Sequence, residues 1–519
     1  MQITQGLRRA LQINAGGVAT IFGDRRHDYR TFAARTAKLA GALRDLGISA
    51  GDRVAILALN SDRYLEYFFA CWTIGAVVVP LNIRWAAEEL IMALQDSGAR
   101  LLFIDDAFLH LCEQFMAASP AVRDVVYMGE GNRRGTRRDY EEMIDAASPA
   151  VDAGAGGDDL AGIYYTGGTT GRSKGVMLSH RNFVYNAVNY AATVGFGTDT
   201  HWLHLASMFH IADANGILTA TMVGGTHSFL PSFKPEEAMV LIQNNKINFS
   251  LFIPTMINML VNHPALADYD LSSPMRCQFG GSPMPESVLR QAMKVLPSWK
   301  FIHSYGMTEL SPFATALEIT PEMLLEPHSR LLLSCGRGAV GCEARIVDDR
   351  GNILPPGQVG ELIVRGDNVM LGYWQRPEET AATLKDGWMH TGDLAHIDED
   401  GYIFIVERLK DMIITGGENV YPAEVEQVVH RLPDVLECAV IGLPDEKWGE
   451  RVHAVVRCVP GSTLSAPEIV EHCRKHLGGY KCPRGVTFRN EPMPLTGASK
   501  IRKNVLRAAL IELEAGRAS

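Results

Sequence analysis

From Phe32 onward the core-facing positions Phe32, Thr36, Leu39, Leu43 and Leu46 recur at steps of four, three, four and three. That spacing puts them on one face of a helix, and Gly47 supplies its C-terminal stop. A short apolar run over 54–59 then predicts a strand, and Asp62 is placed to cap a helix carrying Leu65, Phe68, Phe69 and Trp72. The β-branched run Val77 to Val79, ending at Pro80, predicts the next strand. A helix around 88–96 and a strand at 101–104 continue the alternation. Strands alternating with helices of this length predict α/β layers around a largely parallel sheet.

The pattern changes three times further along. The stretch 149–159, PAVDAGAGGDD, is read as a linker inside one large domain. After Gly351 short strands and turns, as in GNILPPGQVGELIVRG, predict a small β-rich subdomain. The charged segment ERLKD then precedes a second alternating block of roughly 110 residues. The division expected is an N-terminal domain over 1–409 and a small α+β domain over 410–519. There is no fixed-period repeat and no low-complexity tract.

Composition narrows the partners. A chain of 519 residues, 47% hydrophobic, is too long for one core, since single cores stop growing at about 250–300 residues. A net charge of -10 argues against nucleic acid and anionic membrane surfaces, so an anionic ligand needs a local basic site. Nine scattered cysteines without a C-x-x-C pair read as thiols of a reducing compartment. The first residues carry no apolar signal-peptide core, and the apolar run 72–81 is too short for a bilayer, which takes about 20 residues. A soluble cytoplasmic protein is the expectation. Oligomeric state stays open, with a homodimer among the options.

The strongest local signal is the eleven-residue run YTGGTTGRSKG at 165–175. Glycines let backbone N–H groups approach phosphate oxygens, threonine hydroxyls add donors, and Lys174 adds charge. It is not a Walker A loop, because Ser173 and Gly175 stand where that motif requires Gly and Ser or Thr. Gly336, Gly338 and Gly341 match G-x-G-x-x-G, yet CEARIVDDRGN follows as strand and turn instead of helix. A dinucleotide site there is set aside. His201 and His204 are three apart on a predicted strand, hence on opposite faces, and make no metal site.

With the loop stand MFHIAD at 208–213, GGSPMP at 280–285, YGMTE at 305–309, HTGDLA at 390–395, ERLKDMIITGGENVYPAEVE at 407–426 and PLTGASK at 494–500. In this order they resemble the motifs of the adenylate-forming superfamily of acyl-CoA synthetases, peptide-synthetase adenylation domains and luciferase. The resemblance extends over nearly the whole chain. It implies an ATP-dependent acid–CoA ligase that makes an acyl-AMP and then a thioester, using ATP, Mg²⁺ and coenzyme A. Joining a carboxylate to the α-phosphate brings two anions together, so cations and N–H donors are needed where charge builds up.

The resemblance assigns roles by position. Thr166, Gly167, Gly168, Thr169, Thr170, Gly171 and Lys174 would hold the phosphates, with Thr170 also catalytic. Gly281, Ser282, Pro283, Ser304, Tyr305, Gly306, Met307 and Thr308 would line the AMP site, Tyr305 packing on adenine. Glu309 is implied as a catalytic Mg²⁺ ligand, Asp393 and Arg408 as ribose contacts, and Lys500 as the adenylation lysine. His210 is similar to the gate between acyl pocket and thiol tunnel. Lys410 falls at the hinge between domains, with Gly416, Gly417, Glu418, Trp448 and Lys481 on the CoA side. The acyl pocket would comprise His210, Ala212, Asp213, Gly216, Gly280, Ser304, Leu310 and Pro312. Three positions depart from the pattern: Gly167 in place of Ser, Ser499 in place of Gly, and Glu407 before Arg408, where Gly is common.

The pocket positions are small or apolar, none is basic, and Asp213 would repel a second carboxylate. The expected substrate is an apolar monocarboxylic acid, either a medium or long fatty acid or an arylpropenoic acid of the cinnamate kind. Two alternatives stand beside it. One loads a carrier-protein thiol instead of CoA, and YKCPR and PDEKWGERVHAVV favour CoA over it by offering basic residues to nucleotide phosphates. The other is a non-catalytic nucleotide or acyl-AMP sensor, which the full charged set disfavours.

Overall fold

The computed structural model of the chain describes residues 1–131, 138–166, 173–282, 284–416, 418–445, 447–495 and 501–518, with side chains to 514. The first predicted helix runs over Tyr29–Asp45 and buries Phe32, Thr36, Leu39 and Leu43, the face its spacing defined. Gly47 follows with φ +78, a conformation glycine adopts without steric cost. The next strand is Arg53–Leu57, and the helix after it is Asp62–Thr73. Asp62 does not cap that helix. Ser61 does, its hydroxyl accepting from the Tyr64 N–H at 3.2 Å, while Asp62 sits in the first turn and pairs with Arg25 at 2.8 Å. Strands Val77–Pro80 and Leu101–Ile104 flank helix Ala87–Ser97.

These strands belong to an eight-stranded sheet in the order Gly372–Tyr373, Lys174–Ser179, Leu160–Thr166, Val77–Pro80, Arg53–Leu57, Leu101–Ile104, Asp124–Tyr127, Arg138–Asp139. A nine-stranded sheet runs from Arg337–Gly338 through Thr315–Ile319, Trp299–Tyr305, Met275–Gly280, Phe249–Phe252, His201–His204, Thr226–Phe229 and Val18–Phe22 to Arg25–Asp28. Most neighbours in both are parallel, and the central strands, such as Val77–Pro80, Leu101–Ile104 and Phe249–Phe252, are buried along their whole length. Between them lies the largest core, where Phe68 stacks on Trp72 and Phe32 meets Phe69 edge-on. The 149–159 stretch holds no helix or strand and is tied down by backbone bonds from Ala150 to Ala37 and from Ala153 to Thr73.

A five-stranded antiparallel sheet follows, and it opens at Glu343–Val347, before Gly351, because that strand pairs with Gly360–Arg365. Its last strand, Ile403–Arg408, pairs with Trp388–Ile397. A separate sheet of Ile413–Thr415, Glu418–Val420, Val435–Asp445, Gly449–Cys458 and Gly485–Phe488 packs on helices Pro422–Val429, Ala466–His476 and Lys503–Ala518 with cores of its own. The architecture is therefore mixed α/β, with a large N-terminal part and a smaller C-terminal one. Among the described residues no helix is long and apolar enough to cross a membrane.

His180 opens helix His180–Val194, fully buried, its Nδ1 accepting from the Ile3 N–H at 3.4 Å. Burial pushes its pKa down to about 4, so the native state keeps it neutral where the unfolded chain takes a proton. Stability attributable to His180 is thus present above about pH 6.5 and is lost as pH falls toward 4, by about 3 kcal/mol. Urea unfolding of wild type and His180→Gln across this range is expected to give a shallower acid slope for the variant; parallel slopes would contradict it.

Candidate active site

Three chain segments converge on one corner. Asp393 and Arg408 are register partners on the antiparallel strands Trp388–Ile397 and Ile403–Arg408, so their side chains share a face. Arg408 Nε lies 2.6 Å from Asp393 Oδ1, and the Tyr305 hydroxyl donates to Asp393 Oδ2 at 2.6 Å. Tyr305 comes from the nine-stranded sheet, at the end of strand Trp299–Tyr305. Its phenol is pushed up by burial and by the neighbouring Asp393 charge, so it stays protonated and keeps donating. The carboxylate that results is almost wholly buried and fixed in orientation by both partners, as an acceptor of vicinal hydroxyls must be.

The residues expected to meet phosphate begin on the other large sheet. Thr166 and Lys174 face each other where strands Leu160–Thr166 and Lys174–Ser179 end and begin, with the Thr166 hydroxyl 3.4 Å from the Lys174 carbonyl. Gly167, Gly168, Thr169, Thr170 and Gly171 lie outside the described residues, as do Pro283, Gly417, Ser499 and Lys500. Glu309, in the short 3-10 turn Thr308–Leu310, is buried at 7% exposure. The Tyr373 hydroxyl donates to its Oε1 at 2.9 Å, and the Lys174 ammonium lies 5.0 Å from the Tyr373 ring centre. Tyr373 is a residue that sequence reasoning missed, since VMLGYW carries no charge and reads as a turn. Among the described residues no cluster of three His, Cys, Asp or Glu could hold a metal. One buried carboxylate suits instead a magnesium ion that arrives on nucleotide phosphates, since Mg²⁺ is bound through one or two carboxylates plus phosphate oxygens.

Among the positions expected at the acyl pocket, the glycines are set by close approach. A Cβ on Gly216 would meet Trp202 Cε2 at 2.0 Å, and one on Gly280 would meet the Ser304 carbonyl at 2.2 Å. Gly306 is as tight against the Pro312 carbonyl, while Gly281 adopts φ +80 with open space around it and Ser282 follows half-buried. Trp202, Phe249 and Phe196 stack on one another, ring centres 4.6–6.2 Å apart, and Ala212, Ile302, Phe313 and Ala316 join their cluster. The Ser304 hydroxyl is buried without a partner among the described residues. Leu310 is wholly buried in the main core beside half-buried Met307. His210 starts the turn Ile211–Asp213, its Nδ1 accepting from the Ala212 N–H at 3.3 Å.

Asp213 requires a correction. Its carboxylate is fully buried, bound to His204 Nδ1 at 2.5 Å and accepting from the Trp202 indole N–H at 3.2 Å. With its charge taken up by these partners, it gives no ground for repulsion of a second substrate carboxylate; it anchors the turn behind His210. The Lys481 ammonium contacts both oxygens of Glu424 at 2.8 Å. Arg484 and Lys447 flank the Trp448 ring, at 4.6 and 4.9 Å. Gly416, at φ +61, packs under that ring and donates to the Trp448 carbonyl at 2.8 Å, with Glu418 exposed on the adjoining strand. Lys410 sits in the turn joining the third sheet to the fourth, where burial lowers its pKa. Glu407 accepts from the Ala423 N–H at 2.9 Å and meets Lys503 at 3.5 Å, so it ties the last strand of the third sheet to the C-terminal part.

Residues 7–374 match the family model described as AMP-binding enzyme, more than half of the chain. The chain belongs to the AMP-binding enzyme family. Residues 424–500 match the AMP-binding enzyme C-terminal domain as well. The chain is 38% identical to a feruloyl-CoA synthase of an Amycolatopsis species over 481 residues, covering 92% of this chain and 93% of that protein. It is 34% identical to indoleacetate–CoA ligase of Aromatoleum aromaticum, with 98% of both chains covered. Among solved structures, an anthranilate CoA ligase in complex with anthranoyl-AMP superposes with TM-score 0.89 at 26% identity, over 98% of this chain and 97% of that one. This AMP-binding enzyme is accordingly an AMP-forming acid–thiol ligase that uses ATP and CoA.

The Trp202–Gly216 contact makes a local prediction for the AMP-binding enzyme. A Gly216→Val substitution must displace the indole or fill the space beside it, and one misplaced methylene in an apolar pocket is worth about tenfold or more. The expected result is a KM for a bulky acid raised about tenfold with the KM for ATP unchanged, read from initial rates. Equal changes in both constants would place Gly216 outside the acyl pocket.

Proposed function

We propose that this AMP-binding enzyme activates an apolar monocarboxylic acid, with an arylpropenoic acid ahead of a fatty acid, and passes it to CoA. In the first step a substrate carboxylate oxygen attacks the α-phosphorus of ATP and pyrophosphate leaves. In the second the CoA thiolate attacks the acyl carbon and AMP leaves. Thr166 and Lys174 meet the phosphates, Asp393 and Arg408 hold the ribose, and Tyr305 fixes Asp393 while offering its ring to adenine. Glu309 would hold a magnesium ion arriving on the phosphates of ATP, which would supply positive charge there. Lys500 bridges carboxylate and α-phosphate, a task suited to a compact cation on a flexible stem. Rotation about Lys410 then exchanges Lys500 for the Gly416 and Trp448 side, where Arg484 and Lys447 are the cations offered to CoA.

The observation that carries the substrate class is the apolar character of the expected acyl positions: Gly216 lies on buried Trp202, and Ala212 packs against the Trp202–Phe249 cluster, with no basic side chain among the described residues of that cluster. An acid with an apolar body suits such surroundings, whereas a second carboxylate would be desolvated there without a cation to meet it. The feruloyl and indoleacetate relatives act on aryl acids by name, which supports the same choice. Thioester formation from ATP and CoA across ferulate, cinnamate, indoleacetate, decanoate, malonate and succinate tests it. The highest kcat/KM is expected among the aryl acids; a dicarboxylate in first place would overturn it. Exchange of pyrophosphate without thioester until a phosphopantetheinylated carrier is added would move the acceptor from CoA to a carrier thiol.

A further inference from the structure

The segment over 370–374 is tied to both halves of the phosphate site. The Met370 N–H donates to the Glu309 carbonyl at 2.9 Å. The Leu371 N–H donates to Met177 at 2.9 Å and the Trp374 N–H to Gly175 at 2.7 Å, which zips the segment onto the strand that begins at Lys174. Gly372 has φ +139, and a Cβ there would meet Thr380 Cγ2 at 2.6 Å, while the Tyr373 N–H donates to the Thr380 hydroxyl at 2.9 Å. Backbone and side chain together leave Tyr373 little freedom.

Its side chain then does two things at once. The phenol donates to one oxygen of Glu309, leaving the second to a cation. The ring face carries the Lys174 ammonium. Lys174 and Glu309 make no ion pair with each other, although each is an obvious partner for the other. Had they paired, the site would lose the cation meant for phosphate and the carboxylate meant for metal together.

We propose that Tyr373 is a positioning residue for adenylation, a spacer that keeps Lys174 and Glu309 apart and aims the first at the polyphosphate and the second at its magnesium ion. The inference rests on the reading of Glu309 given above. Tyr373→Phe keeps the ring and removes the donor. Calorimetric binding of a non-hydrolysable ATP analogue is expected to weaken roughly tenfold when magnesium is present, the loss expected for a hydrogen bond to a charged group, and to stay unchanged in EDTA. The magnesium midpoint of pyrophosphate exchange should rise by a similar factor, while thioester formation from supplied acyl-AMP stays at the wild-type rate. In a Glu309→Gln background the same substitution should add nothing. Thr380→Val, which loosens the Tyr373 backbone, should shift the magnesium midpoint in the same direction by less, and it serves if Tyr373→Phe folds poorly. Equal weakening with and without magnesium, or an unmoved midpoint in both variants, would overturn the proposal. A wild-type protein that forms no thioester from any acid counts against the assignment of function, and the binding comparison then judges Tyr373 alone.

Discussion

Replacing Lys500 by alanine is expected to slow acyl-AMP formation by about a thousandfold, the scale of losing one charge-stabilising donor at a transition state. Turnover of supplied acyl-AMP with CoA should remain within about twofold of wild type, since the transition state of that step has no pentavalent phosphorus to stabilise. Lys500 precedes helix Lys503–Ala518, and Lys503 meets Glu407 at 3.5 Å and Glu426 at 2.9 Å. Glu407 is the residue before Arg408, which pairs with Asp393. Lys503 thus ties the start of the last helix to the strand that carries Arg408. Pyrophosphate exchange and acyl-AMP thiolysis, measured separately, check it; equal losses in both would refute a lysine specific to the first step.

The second large effect is expected at Lys410. The turn is closed by the Leu409 N–H on the Gly392 carbonyl and the Asp411 N–H on the Arg408 carbonyl, both at 2.9 Å. Few backbone dihedrals lie between the last strand of the third sheet and Ile413, so a domain rotation must be absorbed there. Proline fixes φ near −65° and restricts the residue before it. Lys410→Pro should leave pyrophosphate exchange within about threefold of wild type and lower thiolysis of acyl-AMP about a hundredfold, the cost of misplacing reacting groups. The contacts of Glu407 with Lys503 and Ala423 favour the orientation already present, and they are lost if the C-terminal part turns away. Loss of exchange together with thiolysis would make Lys410 a structural residue.

Local pattern was legible wherever one face of an element meets a core. Phe32, Leu39 and Leu43 predict their helix because the opposite face is wet, and the run Leu101–Ile104 predicts its strand because both faces are dry. The cap at Ser61 was missed since Asp62 next to it is an equally good capping type, and a partner as remote as Arg25 decided between them. Asp393 and Arg408 gained meaning in the sequence only through resemblance, while their pairing across two strands supplies the physical reason they act together. What stayed hidden depends on pairing over long separations. Tyr373 reaches Glu309 across 64 residues and Lys174 across a sheet edge, and Lys481 finds Glu424 across 57. Asp213 looked free because nothing in MFHIAD shows His204 buried beside it.

The central claim is that the acid is carried through an acyl-AMP, and carboxylate oxygen isotope transfer tests it most directly. With ferulate labelled in both carboxylate oxygens, attack on the α-phosphorus followed by thiolate attack on the acyl carbon leaves one labelled oxygen in the AMP. Mass spectrometry of the recovered nucleotide is expected to find AMP carrying a single label and pyrophosphate carrying none. Label in inorganic phosphate with ADP as the nucleotide product would contradict the account.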